Sequence, residues 1–221
     1  MNLGNLLSAS AERNPKKTAI ALENESISYE QLDHSTTYLA RWFLRQGCRP
    51  GDRIAVHWPN SIETAKLFFA CFKAGMIAVP VNVRMKAPEV AYVLQHSQAG
   101  MYFAHPDLMS VANKAWKDGA VLRTIHTTLE GLHEGYPDVV LPEANDDDPA
   151  LILYTSGTTA RPKGVTHTDR TLLENVKLVC IAAPDTLHTA LVMTHGIHLR
   201  DLYRPSPGHC HGRNLCVGAG V

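Results

Sequence analysis

The sequence LILYTSGTTARPKGV, residues 151–165, joins an apolar segment to a polar loop. From Ala150 to Tyr154 the chain is a short apolar run of the kind found in a buried strand. It then changes to glycines and hydroxyl side chains and closes with Lys163 and Gly164. Such a loop can hold a phosphate group, because glycines let backbone N–H groups approach an anion and Ser, Thr and Lys side chains add donors. The stretch therefore predicts a buried strand that opens into a phosphate-binding loop.

The candidate binding residues offer hydroxyl, ammonium or closely approaching backbone groups to a phosphate. They are Thr155, Ser156, Gly157, Thr158, Thr159, Lys163 and Gly164. The loop is not a Walker A element, because that pattern has Gly before its lysine and Ser or Thr after it, whereas here Pro162 precedes Lys163 and Gly164 follows it. The alternative interpretation is a solvent-exposed loop of small polar residues with no ligand.

The loop resembles the signature of the AMP-forming adenylating superfamily, which includes acyl-CoA synthetases, luciferases and the adenylation domains of peptide synthetases. That signature reads Tyr-Thr-Ser-Gly-Thr-Thr-Gly-x-Pro-Lys-Gly. Residues 154–164 match it except at Ala160, which replaces the third glycine. If the backbone has a positive φ at this position, alanine costs about 1 kcal/mol. Such a cost would stiffen or shift the loop without removing a phosphate ligand.

The resemblance implies an ATP-dependent carboxylate–CoA ligase, an acyl-CoA synthetase of the kind used in fatty acid metabolism. In that family a carboxylate attacks the α-phosphorus of ATP to give an acyl-adenylate, and a thiol, usually coenzyme A, then takes the acyl group. By resemblance, residues 155–159 wrap the β- and γ-phosphates, Lys163 is the catalytic residue that neutralises them, and Pro162 fixes the exit of the loop. The implied cofactors are ATP, Mg²⁺ and coenzyme A. The implied partner is a small carboxylic acid.

Functions of different classes remain open. The first is the AMP-forming ligase, and the second is a non-catalytic remnant or nucleotide-binding module. A fragment of an amino-acid adenylation domain is a further alternative, although the early segments resemble acyl-CoA synthetases more closely. The family also uses an aromatic-acidic block for adenine and Mg²⁺, an Asp for ribose and a lysine on a C-terminal domain, and none of these can be placed in this chain. We therefore expect a truncated chain that does not complete the ligase reaction.

Segments with strand character alternate with amphipathic helical segments through the first two thirds of the chain. The strand-like segments lie at residues 53–58, 77–81, 101–104 and 121–126. This alternation predicts an α/β fold in which βαβ units form a mostly parallel sheet covered by helices.

The N-terminal residues predict a short helix, a hairpin that turns at residues 23–25, and an amphipathic helix over residues 29–46. Ser28 followed by Gln31 has the spacing of a capping box. Downstream of the signature, Asp169 is predicted as the N-cap of a helix over residues 171–182.

The resemblance to the adenylating superfamily extends upstream of the loop. Four short segments match the family's early blocks, and all four are interpreted as architectural: SYEQL at 28–32, GDRIAV at 51–56, FKAG at 72–75 and VPVN at 79–82. The resemblance covers residues 1–194 and implies an incomplete N-terminal part of the family's large domain. We therefore predict one partial domain over residues 1–194 and a non-homologous, disordered tail over residues 195–221.

The predicted tail has neither helical nor strand periodicity, and two interpretations of it remain open. The first is a metal site, whose candidate ligands suit zinc in type but not in spacing: His195, His198, His209, Cys210 and His211. The second is a shifted reading frame, because codons read one nucleotide later are compatible with an apolar strand and a Gly-Gly-Thr turn like those of the family. We favour the second interpretation and assign no metal ligands.

The composition excludes several classes of protein. The chain has 221 residues, with 21 basic residues balanced by 21 acidic ones, which argues against a nucleic-acid or anionic-membrane partner. No apolar run reaches the roughly 18 residues of a spanning helix, and the N-terminus lacks the basic start and cleavage site of a secretory signal. The five scattered cysteines are typical of reduced thiols. We therefore predict a cytoplasmic protein with no integral membrane segment.

Overall fold

A computed structural model describes six stretches of the chain. They are residues 2–22, 25–117, 124–132, 136–143, 145–155 and 161–182, with only the backbone described from residue 176 onward. The elements in chain order are α1 (Leu3–Arg13), β1 (Thr18–Leu22), β2 (Glu25–Ser28), α2 (Tyr29–Arg45), β3 (Arg53–His57), α3 (Ile62–Lys73), β4 (Ile77–Pro80), α4 (Ala87–Ser97), β5 (Met101–Ala104), α5 (Met109–Lys117), β6 (Thr124–His126), β7 (Pro149–Thr155), β8 (Lys163–Thr168) and α6 (Asp169–Ala182). No helix in these stretches is long and apolar enough to cross a bilayer.

The N-terminal elements form as their sequence predicts. The side chain of Asn2 caps α1 by accepting a hydrogen bond from the backbone of Asn5. Strands β1 and β2 pair antiparallel as a hairpin. The predicted capping box is present, because Gln31 N–H donates to the Ser28 hydroxyl while the Gln31 side chain accepts from Ser28 N–H. Helix α2 stops just before Gly47, whose φ of 81° suits a residue without a side chain.

A six-stranded sheet forms the centre of the molecule, in the order β6-β5-β3-β4-β7-β8. Among the described strands, neighbours are parallel from β6 to β7, and only β8 runs antiparallel to its neighbour. Helices pack against both faces of this sheet. The fold is therefore the mixed α/β fold with a mostly parallel sheet that the alternation of segments predicts.

Two layers of buried side chains cover the two faces of the sheet. On one face α1, α2 and α3 pack with residues such as Phe43, Phe72 and Leu151. On the other face α4 and α5 pack with residues such as Leu94 and Tyr102. Alternate residues of each strand enter opposite layers, since successive side chains of a strand point to opposite faces.

Strand β8 was not predicted as a strand. Its sequence, KGVTHT, contains one large apolar side chain, Val165, and that side chain is 45% exposed. Within the described residues β8 pairs only with β7 and lies at the edge of the sheet. A strand that is largely exposed lacks the apolar alternation on which the sequence prediction relied.

The predicted role of Asp169 as an N-cap is wrong. The residue that caps α6 is Thr168, whose hydroxyl accepts a hydrogen bond from the backbone of Thr171 at 3.3 Å. Asp169 is instead buried, and its Oδ1 accepts a hydrogen bond from Leu3 N at 3.0 Å, at the start of α1. Burial raises the pKa of the Asp169 carboxyl to about 6. The residue thus joins the end of β8 to the N-terminal helix.

Candidate functional site

The candidate site lies at the loop end of the hairpin formed by β7 and β8. Thr155 stands directly opposite Lys163, and Tyr154 stands opposite Gly164. The structure therefore brings together three of the predicted site residues, namely Thr155, Lys163 and Gly164. The remaining predicted site residues lie outside the described residues: Ser156, Gly157, Thr158 and Thr159.

The loop end of the hairpin is at the carboxyl edge of the parallel sheet. Strand β7 runs parallel to β4, which runs parallel to β3, which in turn runs parallel to β5. Their carboxyl ends therefore lie at one edge, and open α/β sheets bind ligands in the crevice at that edge. Because Thr155 is the last residue of β7, the predicted phosphate loop begins where the fold favours a ligand.

Thr155 and Lys163 are both exposed at this edge. Among the described residues, none forms a hydrogen bond or an ion pair with the Lys163 side chain. A threonine hydroxyl can donate one hydrogen bond and accept others, and a lysine ammonium carries three donors on a flexible stem. The two side chains together can offer a hydroxyl and a positive charge to an anion placed at the strand ends.

Gly164 is closely packed within the hairpin. A Cβ atom at this position would lie 3.1 Å from Ile152 Cγ2 and 3.2 Å from Tyr154 Cζ. Both distances are shorter than ordinary van der Waals contact. The ring of Tyr154 therefore lies against the backbone of Gly164, and this contact fixes the position of the tyrosine at the strand end.

Two side chains of α4 that contact β7 and the segment before β8 were not predicted from the sequence. His96 Nδ1 and Tyr154 Oη share a hydrogen bond of 2.8 Å. The guanidinium carbon of Arg161 lies 5.7 Å from the centroid of the Tyr92 ring. Burial raises the pKa of Tyr154 to about 12. The spacing of Tyr92 and His96, four residues apart on one helix face, was the available signal.

A second polar pair lies inside the sheet and has a structural role. His57 on β3 and Tyr102 on β5 are both fully buried, and His57 Nδ1 lies 2.7 Å from Tyr102 Oη. Burial lowers the pKa of His57 to about 4, so the imidazole is neutral at physiological pH. Because neither side chain is accessible, the pair joins two strands of the sheet rather than contacting a ligand.

The described residues contain no group of three or more His, Cys, Asp or Glu side chains that could hold a metal ion. The five candidate ligands of the tail lie outside the described residues. Both interpretations of the tail, and the domain boundary at residue 194, therefore remain predictions.

Comparison with known proteins identifies relatives of this chain. The AMP-binding enzyme family matches residues 7–206. Long-chain-fatty-acid–CoA ligase FadD13 of Mycobacterium tuberculosis is 33% identical over 175 residues, which cover 76% of this chain and 35% of that protein. Feruloyl-CoA synthase of an Amycolatopsis species is 33% identical over 165 residues, covering 75% of this chain and 33% of the relative. The chain thus spans about a third of the length of these curated relatives.

A solved structure shares the fold described here. The inhibitor-bound N-terminal domain of FACL13 from Mycobacterium tuberculosis superimposes with a TM-score of 0.72 at 30% sequence identity. The superposition covers 78% of this chain and 45% of that domain. The central sheet and its helices therefore correspond to an N-terminal part of the large domain of adenylating enzymes.

Proposed function

The chain belongs to the AMP-binding enzyme family, and on that premise we propose that its β7–β8 hairpin binds the phosphates of ATP within an AMP-forming carboxylate–CoA ligase. The observation that carries the proposal is the pairing of Thr155 with Lys163 at the carboxyl edge of the sheet. The same proposal assigns phosphate binding to four residues of the loop between Thr155 and Lys163. They are Ser156, Gly157, Thr158 and Thr159.

The described residues suit the binding of a polyphosphate. Lys163 brings a positive charge that has no ion-pair partner within the described residues, and Thr155 brings a hydroxyl on the facing strand. Charge-assisted hydrogen bonds from lysine to phosphate oxygens are among the stronger ones in proteins. In the proposed reaction a carboxylate oxygen forms a bond to the α-phosphorus, pyrophosphate leaves, and a thiol then displaces AMP from the acyl carbon. Lys163 would hold the pyrophosphate portion and stabilise its charge as it departs.

Mg²⁺ and coenzyme A belong to the proposal by family membership. A divalent cation bound with the nucleotide would share the phosphate charge that Lys163 faces. Thr155, as a hydroxyl at the strand end, fits an oxygen-rich site of this kind. No described residue is assigned to coenzyme A.

The proposed substrate is a small carboxylic acid. The names of the two relatives specify a long-chain fatty acid for one and ferulate for the other, and both compounds are carboxylic acids. The substrate class shared by these relatives is therefore the carboxylate rather than any particular acyl chain. A non-catalytic nucleotide-binding module is the second candidate, because the part of the relatives that this chain matches, about a third of their length, can bind a nucleotide without all parts of an active site.

Calorimetric titration of the chain with MgATP tests the proposed binding. A lysine–phosphate contact is worth roughly 1.5–3 kcal/mol, so Lys163→Ala is expected to weaken binding about 10-fold to 100-fold. Lys114→Ala, which removes an exposed lysine from α5, is the matched control and is expected to bind as the parent does. Equal affinity of the parent and Lys163→Ala would refute the proposal.

A second measurement tests whether the chain is catalytic by itself. The ligase predicts carboxylate-dependent exchange of pyrophosphate into ATP when all parts of the active site are present. We expect no such exchange by the isolated chain above the level of a Lys163→Ala control. Exchange well above that level would show that the chain is catalytic by itself. Ala160→Gly, which restores the family's third glycine, is expected to leave MgATP affinity unchanged or improve it.

A further inference from the structure

Helix α4 contacts β7 and the segment just before β8, next to the residues proposed to bind phosphate. His96 shares its hydrogen bond with Tyr154, the residue before Thr155 on β7. The same imidazole meets the Tyr154 ring edge-on, with 5.7 Å between ring centroids. Tyr92 faces Arg161, which stands two residues before Lys163 at the start of the returning chain. One helix thus contacts the chain on both sides of the predicted loop.

The contacts form a continuous series rather than two isolated pairs. The rings of Tyr92 and His96 lie 5.4 Å apart on α4, and the ring of Tyr154 lies between His96 and the backbone of Gly164. A displacement of Tyr154 would therefore disturb both strands of the hairpin. Because Gly164 lies in β8 directly after Lys163, its packing also limits where the backbone of Lys163 can lie.

Helix α4 is a rigid support for these side chains. Its buried face packs into the core through Val90, Val93 and Leu94, each at most 1% exposed. Its ends are also fixed, at the start by a hydrogen bond of 2.8 Å from Lys86 N–H to Glu89 Oε2 and at the end by a left-handed Gln98 with φ of 55°. Side chains mounted on such an element hold their partners more precisely than side chains on loops do.

We propose that Tyr92 and His96 are positioning residues that hold Thr155 and Lys163 in the geometry required for nucleotide binding. This inference rests on the proposed function of the hairpin. Neither side chain needs to touch the nucleotide, because His96 acts through Tyr154 and Tyr92 acts through Arg161. Helix α4 is then a part of the binding apparatus that lies outside the signature sequence.

Hydrogen exchange measured by NMR without nucleotide tests the positioning role directly. A single neutral hydrogen bond changes a local opening equilibrium by about two- to tenfold. His96→Leu removes the hydrogen bond, and Tyr92→Leu removes a cation–π contact of similar strength. Each is expected to accelerate exchange by about that factor at the protected amides of residues 153–155 and 163–165. Exchange in β3 is expected to remain unchanged. His34→Leu and Tyr38→Leu on α2 are matched controls and are expected to leave the hairpin as it is.

Conservative variants distinguish positioning from a general loss of stability. Tyr92→Phe keeps the ring beneath the guanidinium and is expected to restore the parent's exchange rates. Tyr154→Phe and His96→Leu remove the two halves of one hydrogen bond, so the double variant is expected to exchange no faster than either single variant. Unchanged hairpin exchange in His96→Leu, or equal acceleration in β3 and the hairpin, would overturn the proposal.

Titration with MgATP provides the second arm of the test. His96→Leu and Tyr92→Leu are expected to weaken MgATP binding about two- to tenfold, while Tyr92→Phe and both α2 controls keep the parent's affinity. If the parent binds no MgATP, the proposed function of the hairpin fails. The hydrogen-exchange data still decide in that case whether Tyr92 and His96 of α4 hold the β7–β8 hairpin in place. Parent-like affinity in both leucine variants would show that the contacts do not position the site.

Discussion

Two lysines, Lys73 at the junction of α1, α2 and α3 and Lys163 at the hairpin, have opposite environments. Lys73 is 5% exposed, and its ammonium donates to Asp33 Oδ1 at 2.5 Å and to Thr37 Oγ1 at 2.7 Å. Lys163 is exposed and has no such partner among the described residues. The fold satisfies the first charge internally and leaves the second available to a ligand. Burial and partners, rather than residue type, therefore separate the structural lysine from the proposed functional one.

The surroundings of the two lysines differ in the same way. A Cβ atom on Gly4 would lie 2.7 Å from Lys73 Cγ, so α1 packs directly on the lysine stem. Burial lowers the pKa of Lys73, while its hydrogen bond with Asp33 raises it. At the hairpin, close packing involves Gly164 and Tyr154 instead, and the lysine itself is not enclosed. At the junction, packing and hydrogen bonds fix the ammonium group of Lys73 itself. At the hairpin, packing fixes the backbone near Lys163 and leaves its ammonium group exposed.

The largest expected effect is the loss of the partner of Lys73. Asp33→Ala leaves a buried ammonium without its carboxylate, and breaking a buried pair in this way costs about 3–5 kcal/mol of unfolding free energy. Lys163→Ala, at an exposed position, is expected to change the unfolding free energy by less than about 0.5 kcal/mol. Urea unfolding of the two variants measures both values. Similar losses in the two variants would contradict the distinction between the lysines.

The next effect is a loss of stability in acid through His57. Its folded pKa of about 4 lies below the ordinary 6.5, so the unfolded state binds the proton more tightly. The stabilisation by neutral His57 is complete above pH 6.5 and is lost as the pH falls through 4, by about 3 kcal/mol in total. His57→Gln removes this titration. Urea unfolding at a series of pH values is expected to show that the unfolding free energy falls less steeply with decreasing pH in the variant. The same pH dependence in the variant and the parent would show that His57 does not cause the loss of stability in acid.

Asp169 is expected to have the opposite pH dependence. Its folded pKa of about 6 lies above the ordinary 3.8, so the folded state binds the proton more tightly. The resulting stabilisation is complete below pH 3.8 and is lost as the pH rises through 6. Asp169→Asn keeps an acceptor for Leu3 N–H without the charge, and it is expected to raise the unfolding free energy at pH 7 by about 1–3 kcal/mol. Asp138→Asn, at an exposed position, is the control and is expected to have no effect at this pH.

The smallest effect concerns the packing of the hairpin. Gly164→Ala is expected to cost about 1 kcal/mol, because its Cβ atom must displace Ile152 or the Tyr154 ring. Gly100→Ala is the matched control, since no atom lies within 4 Å of the Cβ position and no loss is expected there. Thermal unfolding of both variants measures the difference. A Gly164→Ala variant with the thermal stability of the parent would show that Tyr154 is not held against the backbone.

Local patterns predicted much of the fold correctly. The capping box of α2 depends on two residues three positions apart, Ser28 and Gln31, and it was predicted from that spacing. The parallel sheet followed from apolar strands that alternate with helices. These features are set by neighbours in the sequence, so a sequence pattern contains the information needed to predict them.

Contacts between distant residues could not be predicted in the same way. Asp169 accepts its hydrogen bond from Leu3, which is 166 positions away in the chain. The contact of His96 with Tyr154 joins a helix to a strand 58 positions further on. The signature identified Thr155 and Lys163 as candidate ligands, but only the fold shows that they face each other. The strand β8 was missed because an exposed edge strand has no apolar alternation.

Chemical-shift mapping by NMR tests most directly the claim that the hairpin is the nucleotide site. The backbone amides of the 221-residue chain are followed during titration with MgATP. The largest shifts are expected at Thr155, Lys163 and Gly164, with little change at the buried Lys73, and Lys163→Ala is expected to reduce these shifts. Shifts centred elsewhere, or shifts at the hairpin that persist undiminished in Lys163→Ala, would contradict the claim.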